Sequence, residues 1–265
     1  MGCDPITPER ILKDTPRLGL DDRFAFQCGS QLSCFGKCCH DVNIVLTPYD
    51  VLRLKHGLKI DSSEFLEKYT LRLENDEHKF PVVILKMQEE SKACHFLSQR
   101  GCEVYKDRPW ACRMYPLGVA EPQNPSPENQ RFHFLIQENV CQGHGMGASL
   151  SVREWIECQG IEEYEAMSTG FKELTLHDFW NGKQGLTPAQ QDMFYMACYD
   201  VDRFRRFVFD TRFLKLFEVD EARVEALRTD DQELLDFAMQ WLRFSLFGEK
   251  ALRLRPEARQ RKEAK

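Results

Sequence analysis

The sequence predicts an α+β fold: a small irregular cysteine-rich core with few strands, followed by a mostly helical C-terminal part. Three observations predict it. Eight of the eleven cysteines fall between Cys28 and Cys141. Three short apolar runs in that same stretch have the length and residue types of strands. After about Ser151, apolar residues recur at three- and four-residue steps, the helical period.

In chain order, residues 1–23 are polar, carry Pro5, Pro8 and Pro16, and read as an irregular lead-in. Val42 to Leu46 (VNIVL) is rich in β-branched residues and reads as a strand. Thr47-Pro48 caps a helix that runs to about Gly57, with proline in its first turn where no amide is needed. A second helix spans Asp61 to Tyr69, with Ser62 or Ser63 near its cap. Phe80 to Met87 (FPVVILKM) and Arg131 to Gln137 (RFHFLIQ) are the second and third strand candidates. Between Pro116 and Arg131 lies EPQNPSPENQ, a polar loop broken by prolines. Ser151 and Glu154 have capping-box spacing at the start of a helix, and Thr187-Pro188 opens a long one through Phe204. Leu174 to Trp180, Phe204 to Phe217, Val219 to Arg228 and Asp230 to Phe247 are helical by pattern. In the last of these, Leu234, Leu235, Ala238, Trp241, Leu242 and Ser245 make one face. The chain divides into a cysteine-rich domain over 24–150, a helical region packed on it over 151–248, and a basic, disordered tail over 249–265.

Composition bounds the function classes. The chain has 265 residues, enough to bury a core without covalent staples. Its net charge of −6 argues against a general nucleic-acid binder. The tail from Glu249 to Lys265 carries seven Lys/Arg against three Glu, so the remainder of the chain is more acidic still. No segment has the run of apolar residues that spans a membrane, and the first thirty residues lack the apolar core of a signal peptide. Cytoplasmic localisation is the expectation. Stable disulfides are uncommon in that compartment, so clustered cysteines point to metal or redox work. A protein partner or substrate is expected, its identity unknown.

The cysteines carry the sharpest chemistry. Cys28, Cys34, Cys38 and Cys39 stand in FQCGSQLSCFGKCC, Cys94, Cys102 and Cys112 in ACHFLSQRGCEVYKDRPWACRMYP, and Cys141 in CQGHG. Thiolates are soft ligands that select zinc, copper(I) or iron–sulfur clusters. The short Cys34–Cys38 spacer lets the backbone curl, helped by Gly36. Adjacent side chains diverge, so Cys38 and Cys39 can serve different sites. The wider gaps after Cys94 suit ligands drawn from separate loops. Four thiolates around zinc, or around a 4Fe–4S cluster, leave a negative centre that needs compensation. Lys37, Lys106, Arg108 and Arg113 lie beside the cysteines, and Arg108 and Arg113 are placed to act on sulfur from a second shell. Cysteine-only ligands with flanking arginines favour an iron–sulfur cluster over zinc.

These segments together, with VNIVLTPYDVLRLKHGL between them, resemble the YkgJ-type cysteine-cluster family, zinc- or iron-chelating domains with a CxxCxxCC-like core. The first two spacers here, five and three residues, are longer than in that core. The resemblance implies a chelated metal without choosing between zinc and iron. It extends to the cysteine region of flagellin lysine N-methylases, which implies a cluster near a methyl-transferring activity, although no methyl-donor motif stands in this chain. Three function classes follow: a cluster or metal module in binding, delivery or electron transfer; a protein-modifying enzyme; and a zinc-stabilised interaction module.

Other residues weigh less. His40, His95 and His144 neighbour the cysteines, and His144, in CQGHG, is the best candidate for a supporting role. Cys158 and Cys198 read as small core hydrophobes, and Cys3 as a free terminal thiol. Tyr199 to Phe213 reads as a helix with Phe204, Phe207 and Val208 inward; the sharper alternative makes Asp200, Asp202, Arg203 and Arg206 a polar pocket lining. Gly143, Gly145 and Gly147 lack the lysine of a phosphate loop and read as a flexible wrap around the metal.

Overall fold

The computed structural model describes residues 15–73, 79–122, 126–127, 130–182 and 185–258. The fold is α+β, with short strands in small sheets in the front part and helices concentrated in the rear. Cys3 and the last residues of the tail, 259–265, lie outside the described residues.

The front part runs β1 (Arg23–Phe26), β2 (Val45–Leu46), α1 (Pro48–Leu58), α2 (Ser62–Tyr69), β3 (Thr70–Leu73), β4 (Val82–Leu85), β5 (Leu97–Ser98), β6 (Gly101–Cys102), α3 (Trp110–Met114), β7 (Leu117–Ala120), β8 (Phe132–Leu135) and β9 (His144–Ser151). The expected strands are present but shorter than their apolar runs. β1, β3, β7 and β9 carry no such run and were not expected. β4 is the centre of a three-stranded antiparallel sheet, between β2 and β3. The other strands form antiparallel pairs: β1 with β9, β5 with β6, β7 with β8. From His144 onward the glycine-bearing CQGHGMGASL segment is therefore a strand and not a flexible wrap: β1 pairs with its two ends, Phe26 with His144 and Arg23 to Ala25 with Ser151 to Ser149, across a shift in register.

Capping chemistry was legible. Thr47 and Asp50 close a full capping box on α1, as do Ser151 and Glu154 on α4 (Val152–Cys158). Asp61, ahead of the serines, is the residue that caps α2, its carboxylate accepting from the Ser63 amide at 2.8 Å.

The rear part continues with α5 (Ile161–Met167), α6 (Thr169–Thr175), α7 (Pro188–Tyr199), α8 (Val201–Asp210), α9 (Phe213–Leu216), α10 (Glu221–Thr229) and α11 (Asp231–Phe247). The long helix expected through Phe204 is broken at Asp200, whose carboxylate accepts from the Arg203 amide and starts α8. The buried face of α11 carries Phe237 and Leu246, while Ser245 is exposed. Each fully buried aromatic such as Phe204 or Phe237 contributes about 2–3 kcal/mol of burial free energy.

One apolar core spans both parts, joining Leu46, Tyr49, Leu54 and Phe65 of the front to Phe194, Phe204, Phe237 and Trp241 of the rear. A second, smaller core gathers Phe24, Phe26, Met114, Leu117, Trp155 and Ile161. Between front and rear lies a nearly buried charge cluster. Lys55 Nζ reaches Asp202 at 2.7 Å and Asp231 at 3.0 Å, and Arg205 pairs with both acids. Asp200 accepts from the hydroxyl of Ser62 at 2.6 Å and from that of Ser63. Asp200 and Asp202 thus clasp α2 to α8 rather than line a pocket, with Phe204 and Val208 turned inward as the helical reading required.

Residues 249–258 are not a disordered tail. The chain turns back after Gly248: the Glu218 amide donates to Arg253 O, the Arg255 amide donates to Leu216 O, and Leu252 is buried. Basic side chains can line such a segment because its stems and backbone do the packing. Among the described residues no helix is long and apolar enough to cross a membrane.

Candidate metal centre

All ten described cysteines are free thiols. Eight of them converge, and the structure regroups them. In sequence they come as four, three and one. In space Cys28 has Cys38, Cys34 and Cys141 as its electrostatic neighbours, whereas Cys112 has Cys94, Cys102 and Cys38, and Cys39 has Cys38, Cys112 and Cys94. The result is an outer group, Cys28, Cys34, Cys38 and Cys141, and an inner group, Cys39, Cys94, Cys102 and Cys112. The thiols of Cys38 and Cys39 hydrogen-bond to one another and Cys38 also acts on Cys112, so the two groups touch at this pair.

Backbone pairing builds the outer group. The β1–β9 register sets Phe26 opposite His144, and the Gln27 amide donates to Gly143 O at 3.1 Å, which brings Cys28 beside the Cys141 segment. The Gln142 amide donates to Cys34 Sγ at 3.3 Å, and Ser33 Oγ donates to Gln142 Oε1 at 3.0 Å. Cys141 packs against the small core and hydrogen-bonds Tyr115.

The inner group is assembled from three ties. The Cys94 amide donates to Cys39 O at 2.8 Å, next to the His40–Ala93 bridge. The β5–β6 hairpin sets Leu97 opposite Cys102. Its turn residue Gly101 has φ 104, and a Cβ there would meet the Phe35 ring at 2.9 Å, so the CFGKCC loop and the hairpin interlock at a place only glycine fits. Gly36 in that loop takes the left-handed conformation, φ 78, that the tight Cys34–Cys38 curl requires. Cys112 rides on α3, whose first amide, Trp110 N–H, donates to Asp50 Oδ1 at 2.7 Å. Asp50 is fully buried and also accepts from the Thr47 amide and hydroxyl, so the cap of α1 fixes the start of α3. Burial pushes the Asp50 carboxyl up to about 6 against these hydrogen bonds.

The electrostatics of the two groups differ. Burial first, then Cys94 and Cys102, push the Cys112 thiol up to about 12. Burial and Cys102 raise Cys94, while the Phe96 amide hydrogen-bonds it and lowers it; the Val104 amide does the same for Cys102. Arg108, 8% exposed, acts on Cys102 and Cys112 as a cation. In the outer group, partial burial, Cys38, Cys34 and Cys141 raise Cys28, and the Gly29 amide opposes them. The hydrogen bond from Cys39 brings Cys38 down to about 7, against burial and the carboxylate of Glu138. An amide directed at sulfur stabilises the thiolate form, the form that binds metal.

The sequence-predicted supporting residues take specific places. Arg108 and Arg113 direct their hydrogen bonds to oxygen: Arg108 to Tyr105 O and Gln159 Oε1, Arg113 to Lys106 O, Arg108 O and Gln159 O. They lace the Cys102–Cys112 loop to the end of α4, and only the charge of Arg108 reaches sulfur. His144 lies edge-on to Phe26 at 5.3 Å, and its Nε2 is buried without a hydrogen-bond partner. His40 Nδ1 lies 3.1 Å from Gly36 O. Cys198 is buried as expected, but Cys158 is exposed at the end of α4 and is not a core residue. Sequence reasoning missed Asp50, Glu138 and Tyr115. The capping-box spacing of Thr47 and Asp50 was the available signal for the first; nothing local distinguishes the other two.

Among the described residues no group of three or more Cys, His, Asp or Glu side chains is arranged to hold a metal ion. The donor type is that of a soft-metal site: eight thiols drawn from separate segments, with backbone amides aimed at Cys28, Cys34, Cys94 and Cys102.

Residues 27–142 match the sequence model of a family described as CxxCxxCC, putative zinc- or iron-chelating domain. The matched segment contains all eight thiols, and the description supports chelation of zinc or iron. No curated protein and no solved structure matches the chain.

Proposed function

We propose that the front part is a thiolate centre whose eight cysteines hold soft metal in two groups, as iron–sulfur clusters in preference to zinc, for binding, delivery or electron transfer. The observation that carries this reading is that backbone hydrogen bonds tie separate cysteine segments together: the Gln142 amide donates to Cys34 Sγ, the Gln27 amide to Gly143 O and the Cys94 amide to Cys39 O. Two four-thiol sets meet the ligand count of either a 4Fe–4S cluster or a zinc site. Cysteine-only donors with amides directed at sulfur favour the cluster, whose potential those hydrogen bonds set. Iron held there would supply one-electron chemistry; zinc would supply structure. Arg108 offsets the charge of the inner group, and His144 supports the outer one from β9. The motifs around Cys28 to Cys39 and Cys94 to Cys112 resemble YkgJ-type chelating domains, which supports this reading.

Anaerobic purification with metal analysis and an optical spectrum tests the reading. Iron with acid-labile sulfide and a broad absorption near 400 nm is the expected result. Colourless protein with stoichiometric zinc refutes the cluster and leaves chelation. Protein without either metal refutes both.

A further inference from the structure

Cys38 and Cys39 are adjacent free thiols, and their sulfurs are in hydrogen-bond contact. Cys38 is exposed and Cys39 is partly covered. Both stand in one tight turn, Lys37–Cys39, that Gly36 opens in the left-handed conformation. The turn is held from both sides. The Cys39 amide donates to Gly36 O at 3.0 Å, the His40 amide to Lys37 O at 3.2 Å, and Cys39 O accepts from the Cys94 amide at 2.8 Å. Two sulfurs already in contact need no movement of distant segments to bond to one another. The bond they would make is a strained one. The Cys38–Cys39 peptide is trans. The Cα atoms of adjacent residues lie about 3.8 Å apart across such a peptide, whereas disulfides usually span roughly 4.4–6.8 Å. Strain of this kind makes a disulfide easier to reduce, which is the mark of a labile bond rather than a structural one.

We infer that Cys38 and Cys39 form a reversible dithiol–disulfide pair, oxidised by a small-molecule disulfide of the glutathione class. The inference goes beyond the reading of the eight thiols as metal ligands and does not rest on a bound metal. Cys38, the exposed thiol, attacks first. Its sulfur bonds to one sulfur of glutathione disulfide, the glutathione S–S bond breaks, and the leaving thiolate takes up the proton that Cys38 gives up. Cys39 then attacks the Cys38 sulfur of this mixed disulfide. The second glutathione leaves and takes up the Cys39 proton. Two electrons pass from the pair to glutathione disulfide, which ends as two thiols. Excess glutathione runs both steps backward.

The sequence makes the test direct. Trypsin cuts after Lys37 and Arg53, so residues 38–53 form a peptide whose only cysteines are Cys38 and Cys39, while Cys94, Cys102 and Cys112 fall on separate peptides. The full chain is isolated anaerobically, its zinc and iron are counted, and a chelator removes any that is bound; circular dichroism before and after checks the fold. The chain is then incubated with glutathione disulfide, alkylated with N-ethylmaleimide, digested and mapped by mass spectrometry. The expected product is a 38–53 peptide two hydrogens lighter and without alkyl groups. It should form at least about tenfold faster than thiols are lost from the Cys94, Cys102 and Cys112 peptides. Excess glutathione should restore two alkylated thiols. Cys39→Ser should stall with glutathione attached to Cys38, and Cys38→Ser should keep an alkylated Cys39. A wild-type 38–53 peptide that keeps both alkyl groups, or that is cross-linked to another cysteine peptide, overturns the pair whatever the metal count. A chain that neither carries nor takes up zinc or iron overturns the metal reading alone, and a lighter 38–53 peptide from that same chain supports the pair.

Discussion

The outer and inner thiol groups share a backbone at Cys38-Cys39 yet differ in cover: Cys28 and Cys38 are exposed and Cys34 is buried, whereas the inner four are all partly covered. Cys94 and Cys102 of the inner group pack against the core that also holds the rear helices, and α3, which carries Cys112, is pinned by the buried Asp50. The outer thiols hang on the β1–β9 ribbon, where residues 145–149 of β9 are exposed. The difference teaches that equal donor sets need not have equal strength. What a thiol group can do depends on the packing behind it and the charge beside it.

The largest effect should come from breaking the inner group. Cys112→Ser is expected to lose the inner metal and cost about 4 kcal/mol, lowering Tm by roughly 8–16 °C in a chain of this size. Calorimetry and metal analysis read both. Equal stability and metal content would erase the distinction between the groups.

Next is the charge cluster that joins α1, and through Asp50 the inner group, to the rear helices. Burial raises the Asp231 carboxyl, but Arg205, Lys55 and His56 overcome it and hold the group down at about 2 against an ordinary 3.8. A depressed carboxyl contributes stability above its unfolded value, lost as pH falls through its folded one. That contribution of about 2 kcal/mol should vanish between roughly pH 4 and pH 2. Asp231→Asn should flatten that part of the stability curve in acid titrations followed by circular dichroism; an unchanged acid limb would count against it.

Gly101→Ala sharpens the comparison from the other side. It forces a side chain onto φ 104 and against Phe35, in the turn that links CFGKCC to the hairpin. A cost of about 1–2 kcal/mol and faster loss of inner metal are expected in denaturant titration and chelator challenge. Wild-type behaviour would mean that the interlock does not hold the group. The smallest effect belongs to Cys158→Ser. That exposed thiol stands outside both groups, so stability should stay within about 0.5 kcal/mol and metal content should not change.

Much of the fold was legible because its signals are local. Thr47-Pro48 with Asp50, Ser151 with Glu154, and the apolar step pattern of α11 each act within a few residues. β1, β7 and β9 were not legible. Their strand character comes from partners far away in the chain, as Phe26 opposite His144 and Leu117 opposite Leu135 illustrate. Cys158 misled for a related reason: an amphipathic period says that a helix has two faces but not which one a thiol near its end will occupy.

The sequence by itself determined that eight soft donors fall in one segment, that glycine stands where the Cys34–Cys38 curl needs a left-handed residue, and which residues cap the main helices. These follow from residue chemistry and near-neighbour geometry. Only the tertiary structure decided the partition. Cys141 joins Cys28, and the Cys38-Cys39 pair meets Cys94 and Cys112, because strand pairing, the Cys94–Cys39 backbone hydrogen bond and the Asp50–Trp110 hydrogen bond connect segments that sequence distance keeps apart. It also decided that Cys28 and Cys38 are exposed while Cys34 is buried, and that Cys94 and Cys102 lie against the large core, since burial is set by what the whole chain packs around each thiol.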